Sequence, residues 1–379
     1  MKSVGIICEY NPFHNGHLYH LKKIKEMFPE HLIILVLSPS FTQRGNISII
    51  NKWDKTKIAL EAGASLVLEL PFPFATQSAD FFAKGAVQIL EYMKCEYLIF
   101  GSESNDIETL NYLANIQLNN PKYNDLVNKY LQDGINYPTA LSNALNKLTN
   151  KTIRTPNDLL GLSYVREVQK NSFHIKPITI QRTNDYHDLN SNSDIISATA
   201  IRNLLDQKKD ITNFVPNFVN KYITNNNYQE KLFQLLKYKI ISDKELSKYQ
   251  TVDEGIEHRI LKYINNSNSL DELINNIKTK RYTYNKISRM LIHILCGFTK
   301  EEANHMNSIT YIRVLGFDYQ GQKYLNNIKK EISIPIITNC KNITDEMLLL
   351  EHRISDIYNL ITDNNFKDAL EKPIIKKID

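Results

Sequence analysis

Over roughly the first hundred residues, short runs of β-branched and other apolar residues alternate with longer stretches whose apolar positions recur every three or four residues. The short runs predict strands at Ser3 to Cys8, Leu32 to Leu37, Leu66 to Leu70 and Tyr97 to Phe100. The longer stretches predict helices that begin near Asn15, near Asn51 after a loop from Ser38 to Ile50, and near Ala79. Such alternation is the rhythm of βαβ units, so the fold class is α/β with a doubly wound parallel sheet. Helical stretches follow Gly101 up to about Val168, then a fifth strand at Ile175 to Ile180 and an Asn-, Ser- and Asp-rich loop from Asn184 to Asp194. A new helix starts at Ser197, and from about Asn213 the pattern turns almost wholly helical, which divides the chain into an α/β domain over 1–210 and a mainly helical domain over 211–379.

Composition narrows the class of protein. The 379 residues suit two domains, and 42% hydrophobic with 23% charged residues is the balance of a folded chain rather than a disordered or fibrous one. No stretch approaches the roughly 18 apolar residues of a membrane span, and the N-terminal run meets Glu9 too soon for a secretory signal, so no membrane partner is expected. Cys8, Cys95, Cys296 and Cys340 stand far apart with no CxxC, which suggests neither a zinc knuckle nor a disulfide framework and favours a reducing cytoplasm. The net charge of +5 permits a nucleic-acid partner only if the basic surface is local.

The chemistry concentrates at the end of the first strand. Asn11-Pro12 forms a turn, and His14-Asn-Gly-His17 opens a helix with two imidazoles facing the same way. A helix start offers unpaired N–H groups and a positive dipole end, which suits phosphate, and Gly16 allows close approach of a nucleotide. Solvated histidines at a surface helix start are the plain alternative. A second element, Ile196-Ser-Ala-Thr-Ala-Ile-Arg202, places Ser197 as a cap, Thr199 as a first-turn hydroxyl and Arg202 as a fixed charge.

Together these elements resemble the signatures of the HxGH nucleotidyltransferase superfamily, a Rossmann-like fold. The whole chain is similar to the bacterial tRNA(Met) cytidine acetate ligase family. The likeness rests on Gly5 to Leu18, Phe41-x-Gln43-Arg44-Gly45 with Lys52-Trp53, Gly63 to Pro71, Phe100-Gly-Ser-Glu103, Pro156-Asn-Asp158 and Lys280-Arg-Tyr-Thr283. The family's Ser-Gly-Asn-Phe loop is Ser38-Pro-Ser-Phe41 here, and its Gly-Ala-Asp run is Gly63-Ala-Ser65. The resemblance implies an enzyme that activates acetate with ATP and acetylates the wobble cytidine of elongator tRNA(Met), with Mg2+ accompanying ATP and no dedicated protein metal site. By position it implies ATP contacts at Ile7, Cys8, Glu9, Tyr10, Asn11, Pro12, Phe13, His14, Asn15, Gly16, His17, Leu18 and His20. Further contacts fall at Gly101, Asn157, Arg182, Ser197, Thr199 and Arg202, with His14, His17 and Arg202 as catalytic groups.

Several readings stay open. Asn157 is a ribose or base contact, or a helix cap. Gln43 and Arg44 orient acetate or cytosine, or are ordinary loop residues. Asp54 and Asp80 are explained by the helix dipole. Lys278, Lys280, Arg281, Lys286 and Arg289, interleaved with Tyr282 and Tyr284 and without an intervening acid, form an RNA-binding stretch or a solvated helix face. His14, His17 and His20 share helical spacing but lack an acidic third metal ligand at a recognisable distance. The competing functions are a nucleotidyltransferase acting on a small phosphorylated metabolite and a non-catalytic RNA-binding protein.

Overall fold

The computed structural model describes residues 1–182, 194–224, 228–341 and 344–377. The expected loop from Asn184 to Asp194 lies outside these residues except for Asp194 itself.

Five parallel strands form the centre: β1 (Ser3–Cys8), β2 (Leu32–Leu37), β3 (Leu66–Glu69), β4 (Tyr97–Ser102) and β5 (Lys176–Gln181), in the order β5-β4-β1-β2-β3. The chain winds outward from β1 to β3, then crosses to β4 on the other side. The order therefore reverses between β1 and β4, and the crevice beyond their carboxyl ends is where such sheets hold ligands.

Burial on both faces explains the continuous apolar runs. In β2, Ile33, Leu35 and Leu37 join one core with Leu21 and Ile24 of the helix Asn15–Met27 and Ile58 of the helix Lys52–Glu61. Leu32, Ile34 and Val36 point to the opposite core, against the helix Ala79–Tyr92. Gly5 in β1 lets that helix press close, since a Cβ there would lie 2.5 Å from Leu90 Cδ2.

The second half is mainly helical, with one departure from the sequence pattern. Strands β6 (Ile312–Phe317), β7 (Ile336–Ile337) and β8 (Ile374–Ile375) extend the same sheet, β6 running antiparallel to β3. The sheet thus crosses the expected boundary at residue 210. The strand signal at β6 is hidden by Arg313, which looks solvent-facing in sequence but is 2% exposed.

Arg313 is buried because its charge is matched. It donates to Asp368 Oδ2 and Oδ1 at 2.6 and 3.1 Å and to Glu69 Oε2 at 3.2 Å. Lys52 joins the same carboxylates, 2.6 Å from Glu69 Oε1 and 2.7 Å from Asp368 Oδ1. Nearby Glu351, which accepts from Phe72 N–H, is held in its protonated form chiefly by burial, with the Glu69 charge adding to the upward shift.

Removing one member of such a cluster strands the others without partners. Asp368→Ala is expected to destabilise the fold by about 3–5 kcal/mol in urea denaturation. Glu26→Ala, which breaks the exposed Lys23–Glu26 pair at 3.2 Å, is expected to cost less than about 1 kcal/mol. Similar losses for the two variants would show that the buried cluster contributes no special stability.

Candidate active site

The turn after β1 is shaped by Tyr10, whose φ of +48° lies in the left-handed region, and by a cis Asn11–Pro12 bond. It delivers His14 as the cap of the helix Asn15–Met27. The His14 ring accepts from Gly16 N–H through Nδ1 at 3.1 Å, and His17 Nδ1 accepts from His14 N–H at 3.2 Å, a capping box made of two imidazoles. Because both Nδ1 atoms accept, each neutral ring carries its proton on Nε2 and presents an N–H donor. The rings stack 3.7 Å apart at 28°. A Cβ on Gly16 would lie 2.9 Å from His14 Cε1, so glycine is needed for the His14 ring to fold back over the helix start.

The histidines form an electrostatic unit. Burial, reinforced by Arg182, lowers His14 from 6.5 to about 3 and His20 to about 4. Burial and the neighbouring His14 and Arg182 hold His17 well below its usual range. The three rings are therefore neutral near pH 7, and His20 Nε2 is buried without a hydrogen-bond partner. A phosphate arriving here meets N–H donors and guanidinium groups rather than a cluster of imidazolium ions.

Tertiary contacts bring the second element to the first. Arg202 donates to Asn11 O at 2.6 Å and to Thr199 Oγ1 at 3.2 Å, while Ser197 Oγ caps the helix Ala198–Asp206 through Ala200 N–H. Arg182 lies over Gly101 at the end of β4, where a Cβ would be 3.2 Å from Arg182 Cγ. His14, His17, His20, Gly101, Arg182, Thr199 and Arg202 thus gather beyond β1 and β4.

Other expected contacts play framework roles. Cys8, Tyr10, Asn11, Pro12 and Phe13 are buried, and Ile7, Glu9 and Leu18 are half-buried. Asn11 bridges Ile47 O and Ile49 N–H at 3.0 and 2.9 Å, fastening the turn to the loop after β2. Asn15 Nδ2 serves Asp194 O and Asn213 O at 2.9 and 2.8 Å. Asn157 is neither a helix cap nor turned outward: Thr155 occupies the cap position and Asn157 Nδ2 donates to Glu103 Oε1 at 2.5 Å.

Residues 102–104 are organised by Asp158, which sequence reasoning missed. Its Oδ1 accepts from Ser102 Oγ at 2.5 Å and Glu103 N–H at 3.1 Å, and its Oδ2 from Ser104 N–H at 3.1 Å. The sequence signal was the Pro156-Asn-Asp158 run, which carries part of the family likeness without giving Asp158 a role.

The basic stretch divides. Lys278, Lys280 and Arg281 are exposed, whereas Tyr282 is 4% exposed, donates to Asp253 O at 2.6 Å and lies beneath Lys286 Nζ at 4.0 Å. Tyr282 therefore offers no free ring face for a base. The run lacks an acid in sequence but not in space: Arg281 lies 3.6 Å from Glu254, and Tyr284 donates to Asp271. Arg289 leaves the group altogether and reaches Gln43 O at 3.4 Å. Gln43, whose N–H donates to Glu9 Oε1 at 2.6 Å, thereby joins both halves of the chain, and Gly45 at φ +81° packs its backbone against Ser288 and Arg289. Arg44, beside it, is half-buried.

A doubly wound sheet with a histidine-capped helix and two arginines at its switch point defines a nucleotidyltransferase-type site. The sequence matches the family description HIGH Nucleotidyl Transferase over residues 1–372. Relatives called tRNA(Met) cytidine acetate ligase include that of Anoxybacillus flavithermus, 38% identical with 98% of each chain covered. That of Oceanobacillus iheyensis is 38% identical over 99% of this chain and 100% of the relative. Among solved structures, Thermotoga maritima TmcAL without ligand matches with a TM-score of 0.91, and the form bound to alpha-thio ATP with 0.89, each at 29% identity over 100% of both chains. The chain belongs to the tRNA(Met) cytidine acetate ligase family of HIGH nucleotidyltransferases.

The neutral imidazoles make stability depend on pH. His14 is lowered in the folded state, so between about 6.5 and about 3 the unfolded chain binds the proton first. Its contribution is fully present above pH 6.5 and is lost as pH falls, with a slope of about 1.4 kcal/mol per unit. His17 and His20 act in the same direction, so urea denaturation from pH 7.5 to 5 is expected to show a steeper total slope, and His14→Gln to reduce it by about 1.4 kcal/mol per unit. An unchanged slope in that variant would show that His14 is not buried neutral.

Proposed function

We propose that this chain is an ATP-dependent ligase that activates acetate as acetyl-adenylate and acetylates the wobble cytidine of elongator tRNA(Met) to N4-acetylcytidine. The observation that carries the reading is the stacked, neutral His14–His17 pair at the switch point of the sheet, beside Arg182 and Arg202. Relatives of near-full-length match bear the ligase name, and the Thermotoga maritima neighbour was solved with alpha-thio ATP.

An acetate oxygen attacks the α-phosphorus of ATP in line, and pyrophosphate leaves. The Nε2–H groups of His14 and His17 and the Arg202 guanidinium stabilise charge on the departing oxygens. Gly16 and the helix start hold the triphosphate, and Gly101, with Arg182 above it, receives the adenosine side of the nucleotide. Asp158, Asn157 and Glu103 hold the loop beneath it. The cytidine amine then attacks the acetyl carbonyl, AMP leaves, and the amine loses a proton. No covalent enzyme intermediate is required, so the rate rests on positioning.

Gln43 and Arg44 stand on the loop shared with the helical half and are suited to orient acetate or the cytosine. Mg2+ enters with ATP; among the described residues no group of three or more His, Cys, Asp or Glu is arranged to hold a metal. Residues 1–210 carry the activation chemistry, and 211–379 present the tRNA through Lys278, Lys280 and Arg281. No described helix is long and apolar enough to cross a membrane; the bacterial cytoplasm, where tRNA is modified, is the proposed location.

Two measurements test this reading. Acetate-driven ATP–pyrophosphate exchange is expected to vanish in His14→Ala and His17→Ala, and in Arg202→Ala turnover should fall by about 10²-fold or more with the fold retained. Near-normal exchange in a histidine variant would remove the imidazoles from catalysis. Separately, Lys280→Ala/Arg281→Ala should weaken tRNA binding and make its salt dependence shallower by about 0.7 to 0.9 per lost contact, while exchange is unaffected. An unchanged salt slope would make this stretch a solvated surface.

A further inference from the structure

The helix Lys52–Glu61 buries two lysines one turn apart, each 1% exposed, in opposite electrostatic settings. Lys52 is matched by Glu69 and Asp368. Lys55 has no carboxylate at ion-pair distance among the described residues; its Nζ donates to Ser38 O at 2.6 Å and Glu9 O at 3.1 Å. These carbonyls belong to the first residues beyond β2 and β1, so the ammonium sits under the carboxyl edge of the two strands, where the Glu9 to His14 turn begins.

We propose that Lys55 is an electrostatic positioning residue for the nucleotide: it clamps the ends of β1 and β2 together and places a positive charge, with no carboxylate at ion-pair distance among the described residues, beneath the triphosphate. This rests on the ligase reading above. A buried cation left without a counter-charge is costly, and an arriving anion offsets that cost. The clamp also sets the gap between β1 and the loop that carries Gln43, which in turn is held by Glu9.

The charge is linked to ligand binding. Burial brings Lys55 down to about 7, so it is only partly protonated before the nucleotide arrives. The groups that face it are Glu9 and Cys8 of the first strand and its end, and Lys52 of its own helix. The Cys8 thiol, interacting with Tyr10 and pushed up to about 12 mainly by burial, stays neutral, as does Tyr10, whose hydroxyl burial raises well above its usual value. Tyr164, which faces Cys8 and Glu9 from the helix Pro156–Lys170, is likewise raised by burial. A triphosphate above Lys55 therefore favours its ammonium form, and binding draws in a proton.

The test is calorimetric titration of the full chain with magnesium ATP at pH 7.5 in two buffers of different ionisation enthalpy. The expected result is uptake of about three quarters of a proton per ATP, from a lysine that starts near 7, is about one quarter protonated at this pH and becomes fully charged. His14 at about 3, His20 at about 4 and the still-neutral His17 begin too low to gain one at this pH. Lys55→Arg, permanently charged, should bind ATP with no uptake, and Lys55→Met should bind it more weakly, also with none. ATP binding without uptake by the wild type, or uptake that persists in Lys55→Arg, overturns the inference while leaving the ligase reading intact. Failure of the wild type to bind ATP overturns that reading and the inference with it.

Discussion

Four charges buried in one place hold the two halves of the chain to a single sheet. Lys52 comes from the helix after β2, Glu69 from the end of β3, Arg313 from β6 and Asp368 from the C-terminal segment. Each would be very costly alone in the interior, and each is tolerated because the other three are present. The cluster therefore specifies which strand lies beside β3: an edge that parallel winding leaves open is closed by an antiparallel strand from more than two hundred residues away. With that edge closed, the helical half has a fixed position relative to the carboxyl ends of the central strands.

That fixed position determines what surrounds the site. The loop after β2 is held from one side by Asn11 and Glu9, and from the other by Ser288 and Arg289 of the helix Tyr284–Cys296. The ring nitrogens of His293 on the same helix lie 3.1 Å from Gln250 O and 2.8 Å from Thr76 O, carbonyls that accept from the ring N–H, so the segment before the Ala79–Tyr92 helix is tied in as well. A loop held from both halves couples events at the nucleotide to the helices proposed to present tRNA.

At the site the buried imidazoles lose their charge, and the exposed Arg182 and half-buried Arg202 supply the guanidinium groups beside them. Neutral rings stack at 3.7 Å without the repulsion two imidazolium ions would suffer. The capping box sets their orientation, so donors that meet a leaving phosphate are in place before it arrives.

Much of this was legible along the chain. Short continuous apolar runs located β1 to β5, and three- to four-residue spacing located the starts of the helices at Asn15, Lys52 and Ala79, within a residue or two, because burial on both faces of a parallel sheet leaves a local imprint. The HxGH run and the Ser197 to Arg202 element were equally visible, since helix capping is local chemistry. What the sequence could not reveal was every arrangement in which distance along the chain says nothing about distance in space. Nothing along the chain marks Arg313 as buried, because its partners lie 244 and 55 residues away. Tyr282 read as an exposed aromatic because the helix face that buries it is set by packing. Lys52 and Lys55 are the same residue type on one helix, and only the fold, by giving one two carboxylates and the other two carbonyls, made them different in charge.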